Sequence, residues 1–222
     1  MIVVRGLTKT YRTGKMEFTA LKGIDLKIGS GEFVGIMGRS GSGKSTLLYQ
    51  LSLLDRPTSG SILIDGQDAA ELTEQGCVSF RLTNLGYIFQ DHALLPEMTA
   101  AENIMLPMLM LGKSRQEAYR AAKESLAAVG LGDKVNNLPD QMSGGEKQRV
   151  SIARAIIHRP KIIFADEPTA SLDTETSARV MEIFSDLHRK GQTIVMVTHE
   201  PDFRNFFDHT IVLSDGRLVE GD

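Results

Sequence analysis

The chain has no tryptophan, one cysteine (Cys77) and only a small share of aromatic residues among its 222 positions. A lone thiol cannot close a disulfide within the chain, so a stapled secreted scaffold is excluded and stability must come from an apolar core. The opening "MIVVRGLTKTY" has no basic segment followed by an apolar one, which argues for a cytoplasmic location. Long hydrophobic runs are missing as well. The most apolar stretch, "IMLPMLMLG" at 104–112, falls well short of the ~20 residues of a membrane-spanning helix, so any work at a membrane needs another chain to span it. Basic charge is not in surplus either: 25 Lys and Arg stand against 28 Asp and Glu, which gives no general pull toward nucleic acid or anionic lipid. What is present, 41% hydrophobic and 24% charged residues, suffices for one large core with a smaller lobe attached.

Local patterns place strands at both ends and helices in the middle. "IVVRGLTKTY" and "FTALKGIDLKI" read as an antiparallel pair, and "EFVGIMG" as a buried strand entering a glycine-rich turn. The helix "KSTLLYQLSLLD" follows, ended by "RPTSG", and then the strands "SILIDG" and "LGYIFQ". From Thr99 to His158 the pattern is helical, with Pro107 ending or bending the first of these helices. Alternation resumes with the strand "KIIFADEP", the helix "TSARVMEIFSDLHRKG", the strand "TIVMVTHE" and a hairpin turned on Asp215-Gly216. This order predicts an α/β fold with a mainly parallel sheet, an N-terminal antiparallel β subdomain and a helical insert.

The sharpest signal is "GRSGSGKS", which fits G-x-x-x-x-G-K-[ST] between an apolar strand and a helix. Backbone N–H groups of Gly38, Arg39, Ser40, Gly41, Ser42, Gly43, Lys44, Ser45 and Thr46 would converge there on a polyphosphate. Lys44 would bring a point charge to the β and γ phosphates, and Ser45 a hydroxyl to Mg²⁺. "IIFADE" delivers two carboxylates to the end of a buried strand. Asp166 is placed to hold Mg²⁺, directly or through its water, and Glu167 to orient and deprotonate an attacking water.

A second anion site is written in "MSGGEKQRV". Ser143 and Glu146 fit the capping box. That leaves Gly144 and Gly145 to be explained, since glycine costs a helix about 1 kcal/mol relative to alanine. Without side chains they open the first N–H groups of the helix to close approach.

With these motifs in order, followed by "ASLD" and "VTH", the sequence resembles the nucleotide-binding domain of the ATP-binding cassette family over nearly its whole length. "MSGGE" stands where the family has L-S-G-G-Q. The resemblance implies a single P-loop ATPase domain: an α/β core at 1–90 and 159–222 and a helical signature subdomain at 91–158. It implies ATP and Mg²⁺ as ligands, and a homodimer closed head to tail by ATP, the signature glycines of one copy capping the nucleotide of the other. Further roles come from the resemblance alone: Tyr11 stacks on adenine, Gln90 contacts Mg²⁺ and water, Asp173 communicates across the dimer, and His199 contacts the γ-phosphate. Met142 for leucine keeps the bulk of the signature, whereas Glu146 for glutamine adds negative charge beside a polyphosphate. A narrower similarity, carried by "LLDRPTSG" and "PEMTAAENIMLPMLM", is to the ATPases of lipoprotein release, macrolide efflux and cell division. It implies an integral membrane permease subunit as partner and a place on the inner face of the cell membrane.

The alternative is a soluble cassette ATPase acting on DNA or ribosomes. Long heptads, zinc-ligand cysteines or a second cassette would mark those types, and the sequence has none of them, so no nucleic acid is expected. His92, His158, His188, His209 and Cys77 show no metal-ligand spacing and receive no role. Met105, Met108 and Met110 either fill the core of the helical lobe or line a groove for a helix of the membrane subunit.

Overall fold

Runs such as "FVGIM" and "TIVMV" are apolar apart from Thr193, so a strand made from them must be covered on both faces. In the computed structural model, which describes residues 1–14 and 16–219, every residue of both runs is buried. The chain forms two compact units, Met1–Arg81 together with the segment from Gly191 onward, and Leu82–Lys190.

The first unit begins with β1 (Ile2–Thr13) and β2 (Met16–Ile28), an antiparallel pair as expected. β3 (Phe33–Met37) follows, then α1 (Lys44–Leu51), β4 (Ser59–Ile64) and the short β5 (Gln67–Asp68). α2 (Glu74–Asn84) begins in this unit. One antiparallel sheet has the order β2-β1-β4-β5. In the second unit, β6 (Leu85–Ile88) runs parallel to β7 (Ile162–Asp166), whose five residues are all buried. Its helices are α3 (Ala100–Met110), α4 (Arg115–Ala128), α5 (Gly144–Ile156) and α6 (Thr174–Arg189). The chain then returns to the first unit as β8 (Thr193–Val197), β9 (His209–Ser214) and β10 (Arg217–Val219). There β3 lies parallel to both β8 and β9, and β9 turns into β10 as the expected hairpin.

Helix starts in the second unit are set by side chains. Thr99, Ser114 and Ser143 each close a capping box with Glu102, Glu117 and Glu146, and Asp173 caps α6. Small residues then let the helices approach. Ala100, Ala101, Ala118, Ala122 and Ala153 interleave with Ile104, Met105, Leu126 and Val150 in one buried cluster.

The helices depart from the sequence reading at three points. α1 ends at Leu51 rather than Asp55, with Leu53 turned to φ 59°. α2 was not foreseen. Of the two alternatives for Pro107, an end or a bend, the end is ruled out, since α3 continues to Met110: a proline removes one N–H bond, and packing of α3 against α4 and α5 holds the following turn.

Candidate functional site

β3 runs straight into the phosphate-type loop, and two glycines there are required by its shape. At Gly38 (φ 153°) an added Cβ would lie 2.2 Å from the carbonyl oxygen of Leu213, and at Gly43 (φ 103°) 2.8 Å from that of Ala20. Gly43 is the N-cap of α1, with no side-chain cap and no acidic residue in the first turn. A helix start bare of carboxylates and without a side-chain cap, eight residues long and behind a glycine loop, suits an anion. Two further features fit a polyphosphate. The Lys44 ammonium is drawn into the loop, donating to the carbonyl oxygens of Gly38 (3.0 Å) and Arg39 (3.1 Å). Ser42 Oγ is buried with no hydrogen-bond partner among the described residues.

Beside this loop in the first unit stands Tyr11, half exposed on β1. Its phenol donates to Asp55 (3.1 Å) and hydrogen-bonds Thr46 of α1. Burial, more than the neighbouring Asp55 charge, raises the phenol above its ordinary value. His199 follows β8 and is exposed.

In the second unit, β7 ends on Asp166, which is buried, and Glu167 follows with φ 44°. A non-glycine residue in the left-handed region is uncommon, and such backbone strain clusters at functional positions. Gln90 lies just beyond β6 and is exposed.

The start of α5 is built as its sequence suggests. Ser143 N donates to Glu146 Oε2 (2.8 Å), and Glu146 N donates back to Ser143 Oγ (3.3 Å). Ser143 and Gly144 are exposed, and Met142 is buried in the helical core where its bulk belongs. The two glycines differ. Gly144 is open, its nearest neighbour to an added Cβ being Leu172 at an ordinary 3.6 Å. Gly145 is buried, and its added Cβ would strike Thr176 Cγ2 at 2.2 Å. Of the pair, only Gly144 is left open for a ligand's approach; Gly145 has a packing reason that the sequence reading missed.

That reading also missed the answer to the Glu146 charge. Lys134 Nζ stands 3.5 Å from Glu146 Oε1. The N–H of Ser143 first, then the Lys134 charge, hold this carboxyl below its usual range against partial burial. Asp173, expected to act across a dimer, has a local job: Oδ1 accepts from Thr176 N (2.9 Å) and Oδ2 from Thr176 Oγ1 (2.8 Å). No local sequence signal marks Lys134, whereas the D-x-x-T spacing does mark the Asp173 cap.

Among the described residues no helix is long and apolar enough to cross a membrane.

Comparison with known proteins agrees with these pieces. The sequence model of the family described as ABC transporter matches residues 21–170. The chain is 46% identical over 220 residues to the lipoprotein-releasing system ATP-binding protein LolD of Geobacter metallireducens, covering 99% of this chain and 98% of that one. It is equally identical to the macrolide export ATP-binding/permease protein MacB of Chlorobaculum tepidum, of which it covers only 34%. Among solved structures, the ATP-binding cassette MJ0796, described as a dimeric post-hydrolysis state bound to ADP and Pi, superposes with a TM-score of 0.93 at 39% identity, covering all of this chain and 98% of the other. The fold is that of the P-loop ATPases, and the chain belongs to the ABC transporter family as one of its ATP-binding, ATP-hydrolysing subunits.

Proposed function

We propose that this subunit drives a separate membrane-spanning permease from the inner face of the cell membrane: ATP closes two copies head to tail, and hydrolysis lets them reopen. The permease would carry out export, lipoprotein release or mechanical transmission; lipoprotein release is named for LolD and macrolide export for MacB. The observation that carries the reading is the start of α5, an exposed helix N-terminus with Ser143 and open Gly144, in a chain that already owns a phosphate loop. A second anion site of this kind has a use if it meets the nucleotide of another copy. That the cassettes of MJ0796 are dimeric supports a pairing of two copies.

Within each copy, the loop from Gly38 to Thr46 binds the phosphates, and Lys44 neutralises the charge that grows on them. Ser45, Asp166 and Gln90 offer hard oxygen donors, the set that suits Mg²⁺, whose chemistry would be to neutralise phosphate charge. Glu167 takes the proton of the attacking water, His199 holds the γ-phosphate, and Tyr11 stacks on the base. We also propose that the core comprises 1–90 and 159–222 and that 91–158 is the signature subdomain.

Mixing two inactive variants tests the shared site. Lys44→Ala spoils the phosphate loop and Ser143→Arg blocks the signature. A mixture restores one site, built from the intact loop of one copy and the intact signature of the other, so ATPase activity should rise well above either variant alone. No recovery would mean that each chain works by itself.

A further inference from the structure

Tyr11 is held in place by more than its strand. Its hydroxyl donates to Asp55 Oδ2 at 3.1 Å, and the Lys9 ammonium lies over its ring, 5.0 Å from the centroid. The same ammonium donates to Asp55 Oδ1 (2.7 Å) and to the carbonyl of Arg56 (2.6 Å), and the Lys9 side chain is only 12% exposed. Arg56 N adds a third bond to Asp55 Oδ1 (2.8 Å). Asp55 is itself anchored, because its N–H donates to the carbonyl of Tyr49 in α1 (3.2 Å), as does that of Leu54 (2.9 Å). A chain of bonds therefore runs from the helix capped by the phosphate loop, through Asp55, to the aromatic ring. With one face of that ring taken by a cation, a single face is left for a flat partner.

We propose that Asp55, with Lys9, is a positioning residue for the nucleotide base. It fixes the Tyr11 ring at a set distance from the phosphate loop, so that base and phosphates are bound without first ordering an exposed tyrosine. The proposal rests on the reading of Tyr11 as the aromatic that stacks on adenine. An unanchored ring would have to be immobilised on binding, which weakens affinity by roughly three- to tenfold for one side chain. Phosphate binding would be untouched.

ADP and inorganic pyrophosphate separate the two contributions, since they share the diphosphate and only one carries a base. Isothermal titration calorimetry on the full chain should show ADP binding about three- to tenfold weaker in Asp55→Leu and in Tyr11→Phe, with pyrophosphate affinity within twofold of the parent. The double variant should lose no more than either single one, because both remove the same bond. Asp55→Asn, which keeps an acceptor for the phenol, should retain most of the ADP affinity. Equal losses for ADP and pyrophosphate in Asp55→Leu would reduce Asp55 to a structural residue and overturn the proposal. Tyr11→Ala tells the two ideas apart: if it weakens ADP while Asp55→Leu and Tyr11→Phe do not, stacking stands and positioning fails. If Tyr11→Ala leaves ADP affinity unchanged, the stacking reading fails and takes the proposal with it.

Discussion

Gly145 and Thr176 hold α5 and α6 in close contact: a Cβ at 145 would sit 2.2 Å from Thr176 Cγ2. Thr176 cannot easily give way, because Asp173 binds both its N–H and its hydroxyl. Gly145→Ala should therefore cost about 1–3 kcal/mol of overpacking, offset by about 1 kcal/mol from the better helix former. Thr176→Ser removes the offending methyl and keeps the hydroxyl bond, so in that background Gly145→Ala should be neutral or stabilising in urea unfolding. ATPase activity restored along with stability would assign the glycine to packing. Restored stability without activity would show that the N–H groups at 145 must also stay open to a partner's nucleotide.

The Lys134–Glu146 pair predicts an electrostatic suppressor. Lys134→Met should leave the Glu146 charge uncompensated beside the proposed nucleotide, raising KM for ATP several-fold, most clearly at low salt. Glu146→Gln keeps the capping bond and removes the charge, so the double variant should recover. A double variant no better than Lys134→Met would show that the lysine acts in some other way.

Helix caps should make the second unit acid-labile. The carboxyls of Glu102 and Glu146 lie below their usual range through the N–H of Thr99 and of Ser143, that of Glu117 through the Ser114 hydroxyl, and that of Asp173 through the Thr176 N–H. Depressed values mean that the stabilisation is full above about pH 4.5, the ordinary carboxyl value, and is lost as pH falls through the lowered ones. With no tryptophan to report, far-UV circular dichroism would follow urea unfolding between pH 6 and pH 3. The triple variant Glu102→Gln, Glu117→Gln, Glu146→Gln should show a flatter fall, because glutamine caps without titrating.

What the sequence made legible were features written within a few residues: the phosphate loop, the buried runs of β3, β7 and β8, and the Ser143–Glu146 box. What it hid depends on partners far along the chain. Gly145 looked like a ligand contact because Thr176 is 31 positions away, and Asp55, tied to Tyr11, is 44 away. α2 was invisible because only Cys77 in it is buried, which leaves no apolar stripe to read.

Glu167→Gln separates binding from chemistry. The amide keeps the side chain's shape but cannot take the water's proton, so ATP should be bound and held between two copies. Size-exclusion chromatography should show a dimer with ATP and Mg²⁺ and a monomer with ADP. Hydrolysis at the parental rate would remove Glu167 from the role of base.

The methionines of α3 divide by burial, and that sharpens the question of docking. Met105 is 2% exposed inside the helical core, Met108 packs partly against it, and Met110 is 66% exposed beside Leu109 and Leu111. The groove reading therefore fails for Met105. An aspartate there would place a carboxylate among Ile104, Leu126 and Val150 without a partner, at a cost of several kcal/mol, so Met105→Asp should lower the melting temperature by many degrees. Met110 pays no such penalty in the free chain, because its side chain is already in water. Met110→Asp should melt within about two degrees of the parent, since exposed substitutions usually change stability by less than about 0.5 kcal/mol. If the end of α3 receives a helix of the permease, the same substitution should abolish co-purification with the membrane subunit while basal ATPase activity continues. Unchanged co-purification in Met110→Asp would place the docking surface elsewhere.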